Sequence, residues 1–189
     1  HDLRTPLTAI LGAATSLRQD GDRIAGDDRR ALLDAIEDEA RRLDRFVSNL
    51  LDMTRLEGGA LKPKSEWIDL QDAVEAALAA VRRRQDRISW TRSFAPDLPP
   101  VAADPVLLET VLVNVLDNAA KHGGRAVTIT AQLRDGRVGL AVEDDGPGIP
   151  AALLPHVFDR FTRAVDAGAA PGAGLGLSIC KGLIEAMGG

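Results

Sequence analysis

The chain has 189 residues, 45% of them hydrophobic and 27% charged, a balance typical of a folded globular protein and too apolar for intrinsic disorder. Its 23 Lys and Arg against 28 Asp and Glu give a net charge of −5, which disfavours a nucleic-acid-binding surface. The single cysteine, Cys180, excludes an intrachain disulfide, and no apolar run reaches the roughly 20 residues that a membrane-spanning helix needs.

Two amphipathic helices are predicted in the first 58 residues. Apolar side chains from Leu3 to Leu17 are spaced alternately by four and three, and after a polar break at 19–28 the pattern resumes from Leu33 to Thr54. A second apolar line runs beside it at Leu32, Phe46 and Met53. Because two helices alone cannot cover so wide a stripe, we predict an antiparallel hairpin that pairs with a second copy as a dimeric four-helix bundle. A hairpin that packs on its own C-terminal domain is the alternative.

A domain boundary is predicted between residues 62 and 63, because Gly58 and Gly59 end the second helix and Lys62-Pro63-Lys64 is typical of a linker. Beyond it the apolar pattern predicts a strand at 67–70, a helix at 71–84 and a strand at 88–94, closed by the prolines of 96–100.

Asp104 followed by Pro105 is a helix N-cap with proline at the first helical position, and the helix continues to Lys121. Alternating apolar residues then predict an antiparallel β-hairpin with strands at 127–131 and 138–142, joined by an Asp135-Gly136 turn. Residues 164–174 are rich in alanine and glycine, which predicts a mobile loop.

His1 is the first candidate for chemistry. Helical geometry turns it about 150° away from the apolar stripe of the first helix, so it faces water. A neutral imidazole is a nucleophile at pH 7, and the adjacent Asp2 can hold the proton of the other ring nitrogen. An exposed histidine without a function is the simpler alternative.

Two glycine clusters indicate close backbone approach to a ligand: Gly146 and Gly148 follow a strand, and three more precede the last helix at Gly172, Gly174 and Gly176. Each cluster taken alone is also compatible with an ordinary turn. A P-loop is excluded because no Gly-Lys-Ser/Thr follows, and the dinucleotide fingerprint fails because Leu177 occupies the place of its third glycine.

Asn114, Asn118 and Lys121 share one face of the helix that begins after Asp104. Amide oxygens together with phosphate oxygens suit Mg²⁺, and a lysine suits phosphate, so this face is a candidate for a metal-nucleotide. A solvated helix face is the alternative.

Five segments occur in the order found in sensor histidine kinases and resemble the five sequence boxes of that family: HDLRTPLT at 1–8, NVLDNAAKH at 114–122, DDGPGIP at 144–150, FDRFTR at 158–163 and GAGLGL at 172–177. The segments LLDMTRLEGG, KSEW and LSICKGLIEAMGG are most similar to the potassium-responsive Kdp-type branch.

The resemblance implies a fold of two parts. Residues 1–62 would form the dimerisation and histidine phosphoacceptor domain, and residues 63–189 a Bergerat-type (GHKL) α/β sandwich that binds ATP, like that of the gyrase, Hsp90 and MutL ATPases. Because the chain begins at His1 without Met and stops at Gly189 directly after a helical pattern, we expect an excerpt, truncated before the first helix and lacking the C-terminal strands of the sandwich.

The resemblance also implies roles in phosphoryl transfer. His1 would attack the γ-phosphate of ATP and then pass the phosphoryl group to an aspartate on a response-regulator receiver domain. Asp2 would orient or deprotonate the imidazole, and Thr5 matches the position that places water when the regulator is dephosphorylated.

In the ATP-binding domain, Asp144 would accept a hydrogen bond from the adenine amino group while Gly146 and Gly148 let the backbone approach the base. Asn118, with Asn114 nearby, would hold Mg²⁺. The remaining implied contacts lie at the phosphate end: Lys121 on phosphate, Phe158 and Phe161 at the base of the lid, Arg163 near the γ-phosphate, and Gly172, Gly174, Leu175 and Gly176 in the lid.

The partners that the resemblance implies are a second copy of the chain and a receiver domain, with no nucleic acid. The chain would be the cytoplasmic portion of a bacterial sensor anchored to the membrane only through regions that precede His1. Two rival hypotheses stay open: an inert dimeric scaffold of kinase shape, and an ATP-driven clamp of the gyrase type without a phosphoacceptor.

Overall fold

The computed structural model describes residues 3–20, 23–58, 61–82, 87–160, 162 and 174–189. The chain divides into two compact units, His1–Thr54 and Arg55–Gly189. The division falls inside the second helix, whereas the domain boundary between residues 62 and 63 stays a prediction from the sequence.

The first unit is helical, with α1 (Arg4–Asp20) followed by the greater part of α2 (Gly26–Glu57). Both predicted helices are therefore confirmed. A row of leucines is exposed at Leu3, directly before α1, and at Leu7 and Leu11 on α1. A second apolar row is exposed along α2, at Leu33, Val47, Leu50 and Leu51. No described helix has the length and apolar character to cross a lipid bilayer.

The second unit is an α/β sandwich with two small sheets. Strands β1 (Glu66–Ile68) and β3 (Val101–Ala103) pair antiparallel. Strands β2 (Ser89–Phe94), β4 (Ala126–Arg134) and β5 (Arg137–Asp144) form a sheet in the order β2-β4-β5, parallel between β2 and β4 and antiparallel between β4 and β5. The helices are α3 (Leu70–Arg82), α4 (Pro105–His122) and α5 (Gly176–Ala186), with a 3-10 turn at Leu154–His156.

The core of this unit lies between the helices and the larger sheet. Helix α3 buries Val74, Leu78 and Val81, and alternate residues of β4 point inward, as period-two burial requires. Helix α4 contacts both α3 and α5. The side-chain amide of Asn118 lies near Gly176, so the face of α4 that carries this residue borders the start of α5. Helix α4 itself carries three of the predicted site residues, Asn114, Asn118 and Lys121.

Several predicted elements agree with the structure. The hairpin is present with Asp135 and Gly136 both at positive φ, 49° and 75°, as a type I′ turn requires. The first strand ends at Ile68, two residues before the predicted end, because Leu70 is the first buried residue of α3. The predicted end of α3 at residue 84 and the mobile loop at 164–174 lie wholly or largely outside the described residues.

Strand β3 was not predicted, and the assumption that prolines 96–100 close the unit was wrong. The segment is three residues long and pairs with β1, so its register, Trp67 opposite Ala102, depends on a contact 35 residues away in the sequence. A local pattern carries no signal for such a pairing.

Asp104 joins the linker to α4. Its Oδ1 accepts from the backbone N–H of Val106 at 3.0 Å and of Leu107 at 3.2 Å, as an N-cap should. Its Oδ2 accepts from the backbone N–H of Lys64 at 2.8 Å. These backbone hydrogen bonds, first that of Lys64, hold the pKa of Asp104 below its ordinary value of 3.8.

We expect Asp104→Ala to destabilise the second unit by about 1–2 kcal/mol, lowering Tm by about 3–6 °C. Because the folded-state pKa lies below 3.8, this stabilisation is complete above that pH and is lost as pH falls through the folded-state value. Thermal melts at pH 7 and pH 3 measure both effects. The exposed Asp97, replaced in the same way, is the control, and an equal Tm loss in both variants would contradict the prediction.

Candidate functional site

The predicted site residues fall into three groups. His1, Asp2, Phe161, Arg163 and Gly172 lie outside the described residues. Thr5 is exposed in the first turn of α1, in the first unit. All the others belong to the second unit. They lie on α4, at the end of β5 and in the turn after it, and at the start of α5, except Phe158, which follows the 3-10 turn.

Asn114, Asn118 and Lys121 are all half-buried along α4. The Nδ2 atom of Asn114 is buried, and the Asn114 side chain lies beside the Cys180 thiol. The Nδ2 of Asn118 lies 3.9 Å from the position that a Cβ on Gly176 would occupy, so this amide lies against the first residue of α5. Lys121 forms an ion pair with Asp117 one helical turn earlier.

The contact between α4 and α5 continues below these amides. The Cys180 thiol donates a long hydrogen bond to the carbonyl oxygen of Val111 at 3.8 Å. Burial raises the pKa of Cys180 to about 11, so the thiol stays protonated at neutral pH. Leu175, directly before α5, is completely buried, and Ser178 Oγ donates to its carbonyl oxygen at 2.9 Å. The start of α5 is therefore anchored beside the amide face of α4.

Asp144 is the last residue of β5 and pairs with Val127. Its side chain is exposed, and its Oδ1 accepts from the backbone N–H of Gly146 at 2.9 Å. Gly148 has φ 74°, and Gly174, before α5, has φ 66°, conformations that favour glycine. Glycine is therefore favoured at positions 148 and 174 because the backbone there has a positive φ.

Three glycines bring the end of α4 against the end of β5. A Cβ on Gly123 would lie 2.7 Å from Asp144 Cβ, and a Cβ on Gly146 would lie 2.7 Å from both the Gly123 Cα and the His122 carbonyl oxygen. A Cβ on Gly124 would lie 2.5 Å from Asp145 Oδ1. The turn that begins at Asp144 therefore packs directly against the C-terminal end of α4, the helix that carries Asn118 and Lys121, with glycine backbone in contact with backbone.

Asp145 is a site residue that the sequence reasoning missed. Its Oδ1 accepts from the backbone N–H groups of Arg125 at 2.7 Å and Ala126 at 2.8 Å. Backbone hydrogen bonds, first that of Ala126, lower its pKa below the ordinary 3.8. The Gly-Gly pair at 123–124 and the doubled aspartate were the available signals, but nothing local indicates that they meet.

Phe158 is half-exposed at the other side of α5, with the Lys181 ammonium 5.7 Å from its ring centroid. The two residues line a groove of about 420 Å³, which continues to Glu185. His156, in the preceding 3-10 turn, places Nδ1 2.7 Å from Asp159 Oδ2. The predicted role of Phe158 at the base of a lid stays a prediction, because the rest of that segment lies outside the described residues.

The arrangement has the chemistry of a nucleotide site. An exposed carboxylate beside glycine backbone can accept from an exocyclic amine of a base, and the helix start beside Asn118 offers backbone N–H groups to an anion. Among the residues described, no group of three or more His, Cys, Asp or Glu could hold a metal ion.

Two family models match the chain. Residues 103–189 match the histidine kinase-, DNA gyrase B- and HSP90-like ATPase, and residues 1–59 match the His Kinase A (phospho-acceptor) domain. The sensor protein KdpD of Escherichia coli K12 is 35% identical over 191 residues, which cover all of this chain and 21% of KdpD. The chain therefore spans about a fifth of the length of that relative.

Two solved structures are similar. The mycobacterial sensor histidine kinase MprB is 34% identical with a TM-score of 0.58, over 66% of this chain and 81% of that one. The Acinetobacter baumannii histidine kinase AdeS is 26% identical with a TM-score of 0.75, over 98% of this chain and 86% of that one. The AdeS match, which extends over nearly the whole chain, agrees with a helical part followed by an α/β ATPase domain.

Proposed function

The chain belongs to the sensor histidine kinases, and on that premise we propose that it transfers the γ-phosphoryl group of ATP to His1 and from there to an aspartate of a response regulator. The matched ATPase model makes residues 103–189 an ATP-binding domain. The observation that carries the proposal is the close backbone contact between the turn after Asp144 and the end of α4. This contact brings together the carboxylate proposed to bind the base and the helix proposed to bind the phosphates.

In this proposal one domain carries the phosphoacceptor histidine and the other binds ATP. Residues 1–62 form the dimerisation and phosphoacceptor domain, and residues 63–189 form the catalytic domain. The exposed leucine row of α1 and the apolar row of α2 support a second copy of the chain as the partner of the first domain, because apolar side chains at helical spacing gain free energy when they are covered. A homodimeric four-helix bundle covers both rows.

Adenine recognition falls to Asp144 in this proposal. Its Oδ1 is held by the Gly146 N–H, which leaves Oδ2 to accept from the adenine amino group. Guanine carries an oxygen at that position, so the same carboxylate repels it. Gly148 lets the backbone turn beneath the base without a side chain in the way.

The phosphate end is formed by Asn114, Asn118, Lys121 and the lid glycines 172, 174 and 176. The residues fit a Mg²⁺ ion that arrives with the nucleotide, since the side-chain amide oxygens of Asn114 and Asn118 are the hard donors it prefers and both residues are half-buried on one face of α4. When bound, Mg²⁺ supplies charge neutralisation on the phosphate oxygens. Lys121 exchanges its Asp117 partner for a phosphate oxygen, and Arg163 approaches the γ-phosphate with Phe158 and Phe161 beneath the lid.

The proposed transfer is a displacement at the γ-phosphorus. One imidazole nitrogen of His1 forms the new N–P bond, the bond to the β–γ bridging oxygen breaks, and ADP leaves with that electron pair. Asp2 accepts or orients the proton on the other ring nitrogen, which keeps the attacking nitrogen unprotonated. Phosphoryl transfer depends mainly on positioning and charge neutralisation. In this proposal Asp144 positions the nucleotide through its base, while Asn118 and Lys121 act on the charge of the phosphates.

The phosphohistidine then gives its phosphoryl group to an aspartate of a receiver domain, which regenerates His1. Thr5 is exposed on α1 and follows His1 by four residues in the sequence, which supports a second role in placing the water that dephosphorylates the regulator. We place this activity in the cytoplasmic portion of a membrane-anchored bacterial sensor of the Kdp type.

Incubation with ATP labelled at the γ-phosphate tests the proposal. We expect label on the chain that is stable in alkali and lost in acid, as a phosphoramidate requires. ATP turnover without label would favour the gyrase-type clamp, and absence of nucleotide binding would favour the inert scaffold. Either of those outcomes contradicts the proposed kinase activity.

A further inference from the structure

The carboxylate of Asp145 is bound to the backbone of the segment between α4 and β4. Its Oδ1 accepts from the N–H groups of Arg125 and Ala126, at 2.7 and 2.8 Å. Its own N–H donates to the Ala126 carbonyl oxygen at 3.2 Å. Side chain and main chain together therefore extend the β4–β5 pairing one residue beyond Asp144.

Glycine at position 124 makes room for this carboxylate. A Cβ there would lie 2.5 Å from Asp145 Oδ1 and 2.9 Å from the Asp145 carbonyl oxygen. Gly146 is equally confined, because its Cβ would lie 2.7 Å from Gly123 Cα. The two turns therefore meet at van der Waals distance, and the Asp145 carboxylate supplies the hydrogen bonds between them.

We propose that Asp145 is a positioning residue for adenine recognition, which holds Asp144 in place relative to α4. Asp144 itself pairs with Val127, and the next residue, Asp145, is hydrogen-bonded to the backbone of Arg125. The backbone of Asp144 is therefore held at its own position and at the residue that follows it. The inference rests on the proposed function, in which Asp144 binds the base and α4 carries the phosphate-side residues. The lowered pKa of Asp145 agrees with it, because an ionised acceptor makes the stronger hydrogen bond.

The test compares ATP and GTP affinity, measured by titration calorimetry, in four forms of the chain. Asp145→Ala removes the acceptor, and we expect ATP affinity to fall about 10–100-fold while weak GTP binding changes little. Asp145→Asn keeps one acceptor oxygen at the same place, so affinity should stay within about threefold. Glu143→Ala, exposed on the neighbouring residue of β5, is the matched control and should leave both affinities unchanged.

Gly124→Ala approaches the same contact from the other side. Its Cβ displaces the Asp145 carboxylate, so it should reproduce the selective loss of ATP affinity even if Asp145→Ala folds poorly, and thermal melting identifies the variants that are folded. A folded Asp145→Ala or Gly124→Ala chain with unchanged ATP affinity, or one that loses ATP and GTP affinity equally, overturns the inference. Absence of ATP binding by the unchanged chain overturns the proposed function, and the inference with it.

Discussion

Replacing His1 with glutamine is expected to reduce acid-labile label from γ-labelled ATP to background, a loss of about 1,000-fold or more, because the phosphoryl group then has no nucleophilic acceptor. The glutamine amide is similar in size to imidazole, but its nitrogen lone pair is delocalised and does not attack phosphorus. ATP affinity should stay unchanged, since the residues proposed to bind the nucleotide belong to the second unit and not to the unit of His1. Scintillation counting of alkali-treated and acid-treated chain measures the label.

The sequence contains three histidines, which allows a complete control set. His122 follows Lys121 at the exposed end of α4, and His156 is exposed and bonded to Asp159. The substitutions His122→Gln and His156→Gln should each retain most of the label. Label that survives in His1→Gln and disappears in one of the other two would assign the phosphoacceptor to a different domain.

Local signals gave the parts of the fold that depend on neighbouring residues. Asp104 and Pro105 predict the start of α4 because the cap bonds two and three residues ahead, and Asp135-Gly136 predicts its turn because both residues adopt positive φ. Five ordered motifs then gave the family. Strand β3 escaped prediction because three residues among prolines pair with a strand 35 positions away.

The candidate site divides in the same way. The sequence predicts Asp144, Gly148 and the amides of α4 because a carboxylate, a glycine in a turn and an amide each indicate a role in ligand binding from residue type and local spacing alone. Asp145 and Gly124 gain their importance only from their contact with each other, and they lie 21 residues apart in the chain. The sequence also leaves a solvated face open as an alternative for Asn114, whereas its Nδ2 is buried.

Asp144→Asn is expected to have the second largest effect, on nucleotide recognition. The carboxylate has two acceptor oxygens, one for the Gly146 N–H at 2.9 Å and one for the adenine amino group. An asparagine offers one acceptor and one donor, so either Gly146 or adenine faces an N–H group instead of an oxygen. Loss of a charged hydrogen bond costs about 1.5–3 kcal/mol, and the facing donors add to this, so ATP affinity should fall about 100-fold.

The same substitution should relax selectivity, because the new amide N–H₂ can donate to the O6 atom of guanine. We therefore expect GTP affinity to stay equal or rise while ATP affinity falls, which reverses or abolishes the preference for adenine. Competition of ATP and GTP against a fluorescent nucleotide measures both, with Glu143→Gln as the isosteric control on the same strand. Since a general loss of folding lowers both affinities together, a fall in ATP affinity without a fall in GTP affinity identifies Asp144 as the adenine contact. A parallel loss of both affinities in a folded variant would assign base recognition to another residue.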